Sequence, residues 1–183
     1  MTTVVMKTNA VTARLAVAVA ALLIAWALKQ HYSSARADDL MWILTPTAQL
    51  VAAMTGSPLT LQPGEGYLSR ERLFLIEKSC AGVNFMLAAF GMLVFTLFHR
   101  VRTTVSAGSV LGVSLLAGYT AAVVVNAARI AMAMWLAAHP VALSISSQAL
   151  HRLEGILVYF GGLMLLYEAA QRLERRAILR SGR

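Results

Sequence analysis

Residues 77–102 read "EKSCAGVNFMLAAFGMLVFTLFHRVR". The middle of this stretch, 81–98, is apolar and uncharged. A polar segment precedes it, and His99, Arg100 and Arg102 follow it. About 20 apolar residues in a helix cross a hydrocarbon core. The run is therefore read as a membrane span, and the positive cluster marks its cytoplasmic end. The only cysteine of the chain, Cys80, then falls at the outer end, where the polar segment meets the span.

The rest of the chain agrees with this reading. Of 183 residues 58% are hydrophobic and 13% charged, with mean hydropathy +0.68. A soluble domain carries about twice that share of charge. The expected fold class is an all-α integral membrane protein, with about four transmembrane helices, an interfacial helix and a short extracytoplasmic β-hairpin or loop. The net charge of +8 sits beside apolar runs, at Arg100 and Arg102 and at Arg172, Arg175, Arg176, Arg180 and Arg183. Positives so placed mark cytoplasmic ends in contact with anionic membrane lipid. No nucleic-acid-binding signature accompanies them, so nucleic acid is not an expected partner.

The organisation is read as one polytopic domain, 1–183. Residues 1–37 hold the first membrane helix and an outer linker. Its apolar run, "LAVAVAALLIAWAL" at 15–28, follows Lys7 and Arg14. The "ARA" at 35–37 also fits a signal-peptide cleavage site, which would leave three spans. Residues 38–79 supply an interfacial helix, with Pro46 in its first turn and Thr45 as cap, and then a hairpin around "PGEG". Residues 80–170 form the catalytic helical core. Its spans are 81–98, then 105–138 returning outward bent or broken near Asn126–Arg129, then about 153–167. Pro140 ends the third span and opens an outer loop. Residues 171–183 are read as a basic cytoplasmic tail. In this topology Cys80 and His151 lie at outer ends of spans, and Arg129 in the outer half of the third.

Arg129 carries the largest energetic signal. An arginine mid-span costs about 2.5–3.5 kcal/mol, so it is kept for a partner or a pathway unless it snorkels to headgroups. Asn126 precedes it by one helical turn and shares its face. Cys80 alone reads most simply as a small buried hydrophobe. At the start of a helix, with Ser79 as cap, the dipole favours its thiolate. The "AG" after it gives a substrate backbone room. His151 has Glu154 three residues on to orient its imidazole, and alone reads as an interfacial histidine. Together a thiol, an imidazole and a guanidinium supply a nucleophile, a proton carrier and an oxyanion stabiliser. Glu77 and Asn84 flank the cysteine as supporting groups, with Asn126 and Glu154.

His31, His99 and His139 read as solvated or interfacial, and the glycines of the apolar runs as helix packing. No histidine pair has metal-ligand spacing and one cysteine makes no thiolate cluster, so neither metal nor cofactor is expected.

The blocks "ExSCAGxNF" at 77–85, "NAARIA" at 126–131 and "HRLEG" at 151–155 resemble, in order and spacing, the motif blocks of the exosortase/archaeosortase family, and the small size resembles its short exosortase K-type branch. The resemblance covers roughly residues 40–170, although this chain has fewer spans than typical members. It implies a membrane cysteine transpeptidase of the bacterial cytoplasmic membrane with its site on the extracytoplasmic side. Cys80, Arg129 and His151 would be its catalytic set. The implied partners are substrate proteins with C-terminal sorting signals of the PEP-CTERM type, and a lipid or glycan acceptor. A plain membrane cysteine endopeptidase is the alternative among enzymes. Outside enzymes, the alternative is a membrane assembly or transport subunit that uses Arg129 to hold a partner or lipid.

Overall fold

The computed structural model describes residues 2–71, 73–139 and 147–181, without the side chains of residues 2–10, 147, 148, 150, 151, 178, 180 and 181. Pro140 and the loop it opens lie outside the described residues, as do Arg183 and the side chains of Lys7, His151 and Arg180.

Among the described residues, five α-helices and one small sheet follow in the order α1 (Thr2–Ser34), α2 (Met41–Thr55), β1 (Thr60–Gln62), β2 (Gly66–Ser69), β3 (Phe74–Ile76), α3 (Val83–Leu97), α4 (Thr104–Ala138) and α5 (Ser147–Ser181). Among them, four stretches are long and apolar enough to cross a membrane: Val11–Ser34, Lys78–Arg100, Thr104–Ala138 and Arg152–Ala177. Large apolar side chains on their outer faces, such as Leu22, Trp26, Phe95, Leu116, Ile156, Phe160 and Leu165, are exposed. A helical bundle with an apolar exterior is suited to lipid rather than water.

Two core clusters divide the bundle along its length. At the basic end Val17 of α1 packs with Phe90, Val94, Val101 and Val110. At the cysteine end Leu40, Ile43, Leu44 and Val51 pack with Ile76, Phe85, Met86, Ala122, Ala127 and Ile130. α3 and α4 meet closely because Gly118 presents no side chain to Phe90. A β-carbon at Gly118 would lie 3.1 Å from the Phe90 backbone nitrogen. Gly162 does the same for α5 against Val125. Gly91, Gly108, Gly112 and Gly161 face open space instead, so only part of the glycine set serves packing between described helices.

The expected hairpin around "PGEG" is present as β1 and β2, and β3 extends it to a three-stranded antiparallel sheet in the order β1-β2-β3. Other expectations are corrected. The helix after Asp38 enters through a 3-10 turn and runs on past Pro46, which lies inside α2 rather than in its first turn. Thr45 is not a cap; its hydroxyl is 2.9 Å from that of Tyr67. Proline inside a helix leaves the carbonyl four residues earlier without a donor. Here that carbonyl belongs to Trp42, and the Tyr119 hydroxyl of α4 donates to it at 2.8 Å. α2 does not merely rest on the bundle, for Ile43, Leu44, Thr47, Ala48 and Val51 are all buried.

α4 is unbroken at Asn126–Arg129. At 1.5 Å per residue its 35 residues extend about 52 Å. Asn126 finds partners on both sides and Arg129 bonds to it, within a continuous helix. The described part of the basic segment is helical, since α5 continues to Ser181. An i,i+4 pair, Glu168–Arg172 at 3.6 Å, lies on this extension. Glu174 also ties it to the bundle, accepting from Arg100 Nε at 2.9 Å with His99 Nε2 at 3.3 Å. His99 therefore faces a carboxylate rather than only solvent.

α1 is tied to the rest of the bundle at two levels. Arg14 Nε donates to the Val101 carbonyl at 3.4 Å, and Lys29 Nζ donates to Asn84 Oδ1 at 2.8 Å. Ala35 and Ala37, the small residues of "ARA", are buried in the cysteine-end core.

Candidate functional site

Cys80 sits on a 3-10 turn, Lys78–Cys80, between β3 and α3. Buried Ile76 holds the turn on one side and buried Ala81 on the other. Within it, Cys80 N donates to Glu77 O at 2.9 Å and Ala81 N to Lys78 O at 3.0 Å. The cysteine itself is half-buried. It does not open α3, and Ser79 does not cap that helix. The N-cap is Gly82, with φ +69°, and α3 begins at Val83. Ser79 instead donates its hydroxyl hydrogen to Glu77 Oε1 at 2.8 Å, and its oxygen lies 3.8 Å from Cys80 Sγ.

The glycine after the cysteine serves packing as well as conformation. A β-carbon at Gly82 would lie 2.9 Å from Cγ of Asn126. Only glycine combines the left-handed backbone with this close approach. The expected role of "AG" in giving a substrate room is thus replaced by one toward α4.

Asn126 is fully buried and joins three elements. Its Nδ2 donates to the backbone carbonyl of Cys80. Its Oδ1 accepts from the Tyr159 hydroxyl of α5 at 2.8 Å and from Arg129 Nε at 3.4 Å. A guanidinium has no acceptor, so the amide oxygen faces Arg129 and the amide nitrogen faces Cys80. The guanidinium carbon of Arg129 stands 5.4 Å from the centre of the Tyr159 ring, a cation–π distance. Phe85 of α3 packs on the same ring, centroid to centroid 5.2 Å. Gly155 of α5 leaves space beside the Arg129 side chain, whose Cδ would be 3.9 Å from a β-carbon there. The costly arginine thus meets one amide oxygen and one aromatic face inside the bundle.

The sequence-derived residues are distributed as follows. Cys80, Asn126 and Arg129 are joined through one amide. Glu77 reaches the thiol's neighbourhood through Ser79. Asn84 is exposed and turned to Lys29, so it ties α1 to α3 and is not part of the cluster. Glu154 is buried on α5. His151 lies on α5, one turn before Gly155 and two before Tyr159; its imidazole lies outside the described residues.

Sequence reasoning missed Tyr159, whose signal was a hydroxyl inside an apolar run, "ILVYFGG". It also missed a group of α1 contacts near the cysteine turn. Lys29 and Lys78 stand 5.5 and 5.4 Å from the Tyr32 ring, and Lys78 Nζ donates to Ser33 O at 3.0 Å. Among the described residues no three His, Cys, Asp or Glu side chains gather as a metal site.

The chain matches no protein-family model, no curated protein and no solved structure.

Proposed function

We propose that this protein is a membrane-embedded cysteine transpeptidase that processes C-terminal sorting signals of exported proteins. The observation that supports the reading best is the Asn126 amide, which joins the turn carrying the only cysteine to the intramembrane Arg129. The motif resemblance at 77–85, 126–131 and 151–155 supplies the reaction class.

In the proposed reaction the Cys80 thiolate attacks a peptide carbonyl of the substrate's tail at the extracytoplasmic membrane surface. Arg129 stabilises the oxyanion. His151 takes the thiol proton and passes it to the leaving amine as the C–N bond breaks. The thioester is then attacked by an amine or hydroxyl of a lipid or glycan acceptor. Its proton goes to His151, and the thiolate leaves. Binding the bond at the membrane surface lets the apolar part of the tail stay in the bilayer.

The test is co-expression with a tagged exported protein that ends in a short motif, an apolar helix and a basic tail. The wild-type chain shortens the substrate and adds the mass of an acceptor. Cys80→Ala abolishes the shortening. Removing an oxyanion donor costs about 2.7–4 kcal/mol of barrier, so Arg129→Ala loses most turnover while still inserting. Processing at the normal rate by Cys80→Ala would sink the reading. A shortened product without added mass would replace it with the endopeptidase.

A further inference from the structure

We propose that Tyr159 is a positioning residue of this site, holding the Cys80 turn through the Asn126 amide and Arg129 through its ring. The proposal rests on the reading of Cys80 and Arg129 as the working pair, and deepens it.

At this end α5 turns one apolar face away from the bundle. Leu153, Ile156, Leu157 and Phe160, one stripe at helical spacing, are exposed. Contact with α3 and α4 runs instead along Gly155, Tyr159 and Gly162, spaced four and three residues apart on one face. Gly162 lets the helix approach, since a β-carbon there would lie 2.7 Å from Val125. On that face Tyr159 places its hydroxyl into the bundle, and the carboxylate of Glu154 is buried nearby on the same helix.

Asn126 Oδ1 accepts from Tyr159 at 2.8 Å and from Arg129 at 3.4 Å, so the tyrosine supplies the shorter bond. A fully buried amide with one donor removed keeps less hold on its orientation. That orientation decides whether the Cys80 carbonyl meets an N–H or an oxygen. The Tyr159 ring meanwhile stands against the Arg129 guanidinium at 5.4 Å. One side chain of α5 therefore restrains both the nucleophile's turn and the cation. It also fixes the register of the helix that bears His151.

The experiment uses the full chain in lipid nanodiscs and exploits the single cysteine. The second-order rate of Cys80 alkylation by a small neutral maleimide is measured above the pH at which the rate levels off. Four chains are compared: wild type, Tyr159→Phe, Asn126→Ala and the double variant. Losing one net hydrogen bond changes an equilibrium roughly two- to tenfold, and Tyr159→Phe is expected to raise the alkylation rate by that factor. In the Asn126→Ala background the same change is expected to add nothing, because the hydroxyl acts through the amide. On substrate, Tyr159→Phe lowers kcat with KM unchanged.

An alkylation rate equal to wild type, or an equal increment in both backgrounds, overturns the proposal and leaves Tyr159 as packing. The alkylation arm needs no substrate. It therefore stands even if Cys80→Ala retains processing and the transpeptidase reading fails.

Discussion

The Tyr119 hydroxyl donates to the backbone carbonyl of Trp42 at 2.8 Å, and this is the carbonyl that Pro46 leaves without its helical donor. The rings of Trp42 and Tyr119 also stack, 5.9 Å apart. A residue 77 positions away thus repairs a defect that the sequence of α2 creates. Tyr119→Phe is expected to destabilise the protein by about 1 kcal/mol, as one net hydrogen bond at a partly exposed carbonyl. Pro46→Ala returns an N–H to α2. It should therefore stabilise the Tyr119→Phe chain more than the wild type. Denaturant titrations of the four chains in mild detergent measure this coupling; strictly additive effects would contradict it.

This pair shows where the sequence was readable. Hydropathy and positive charge located all four apolar helices, because both signals are local and the helices are long. "PGEG" located a turn for the same reason. The Arg129 signal also survived, since an arginine in an apolar run is costly wherever its partner lies. Pro46 misled because its helix is completed by Tyr119, which no local pattern links to it. Ser79 misled because its sequence position suited a cap, while its hydroxyl found Glu77 and the helix began after Gly82. Tyr159 went unnoticed because one tyrosine in an apolar run is also consistent with simple packing. Only the position of Asn126 gives it a role.

Gly82 offers a second prediction. At φ +69° a substituted residue is strained by about 1–3 kcal/mol. Its β-carbon would also press on Asn126 Cγ from 2.9 Å. Gly82→Ala should therefore both destabilise the protein and displace the amide from the Cys80 carbonyl. Adding Asn126→Ala removes Cγ and Nδ2 from the clash, leaving the Asn126 β-carbon at 3.1 Å and the backbone part. In thermal unfolding the double variant should lose less than the sum of the two single losses. A sum of losses would show that the close approach is unimportant.

At the other end of the bundle, Glu174 joins α5 to the segment after α3. Its side chain is 11% exposed, while that of Arg100 is 44% exposed. Solvent screening reduces what such a pair contributes, so Glu174→Gln should cost only about 1 kcal/mol. Glu174→Leu should cost more, because it leaves Arg100 and His99 without any acceptor on this side chain. The effect should shrink in high salt for exposed pairs such as Glu168–Arg172 and persist for Glu174. Unfolding midpoints at low and high ionic strength check the contrast, and equal salt dependence would mean that Glu174 is solvated.

The positive-inside reading makes a prediction about sidedness that the single cysteine makes practical. Cys80 is half-buried beside exposed Ser79, so a reagent in water can reach it. Thr104 is exposed at the opposite, basic end of α4. The whole of that helix, about 52 Å at 1.5 Å per residue, lies beyond it toward the cysteine end. In intact cells a membrane-impermeant maleimide should label Cys80 without permeabilisation. Thr104→Cys in a Cys80→Ala chain should label only after the membrane is opened. Arg100 and Arg102 precede Thr104, and basic clusters flanking a span are retained on the cytoplasmic side. The opposite pattern would place the thiol in the cytoplasm and remove the exported substrate from its reach. Labelling of both positions in intact cells would mean that Thr104 does not lie behind the membrane, and that the long α4 does not cross it.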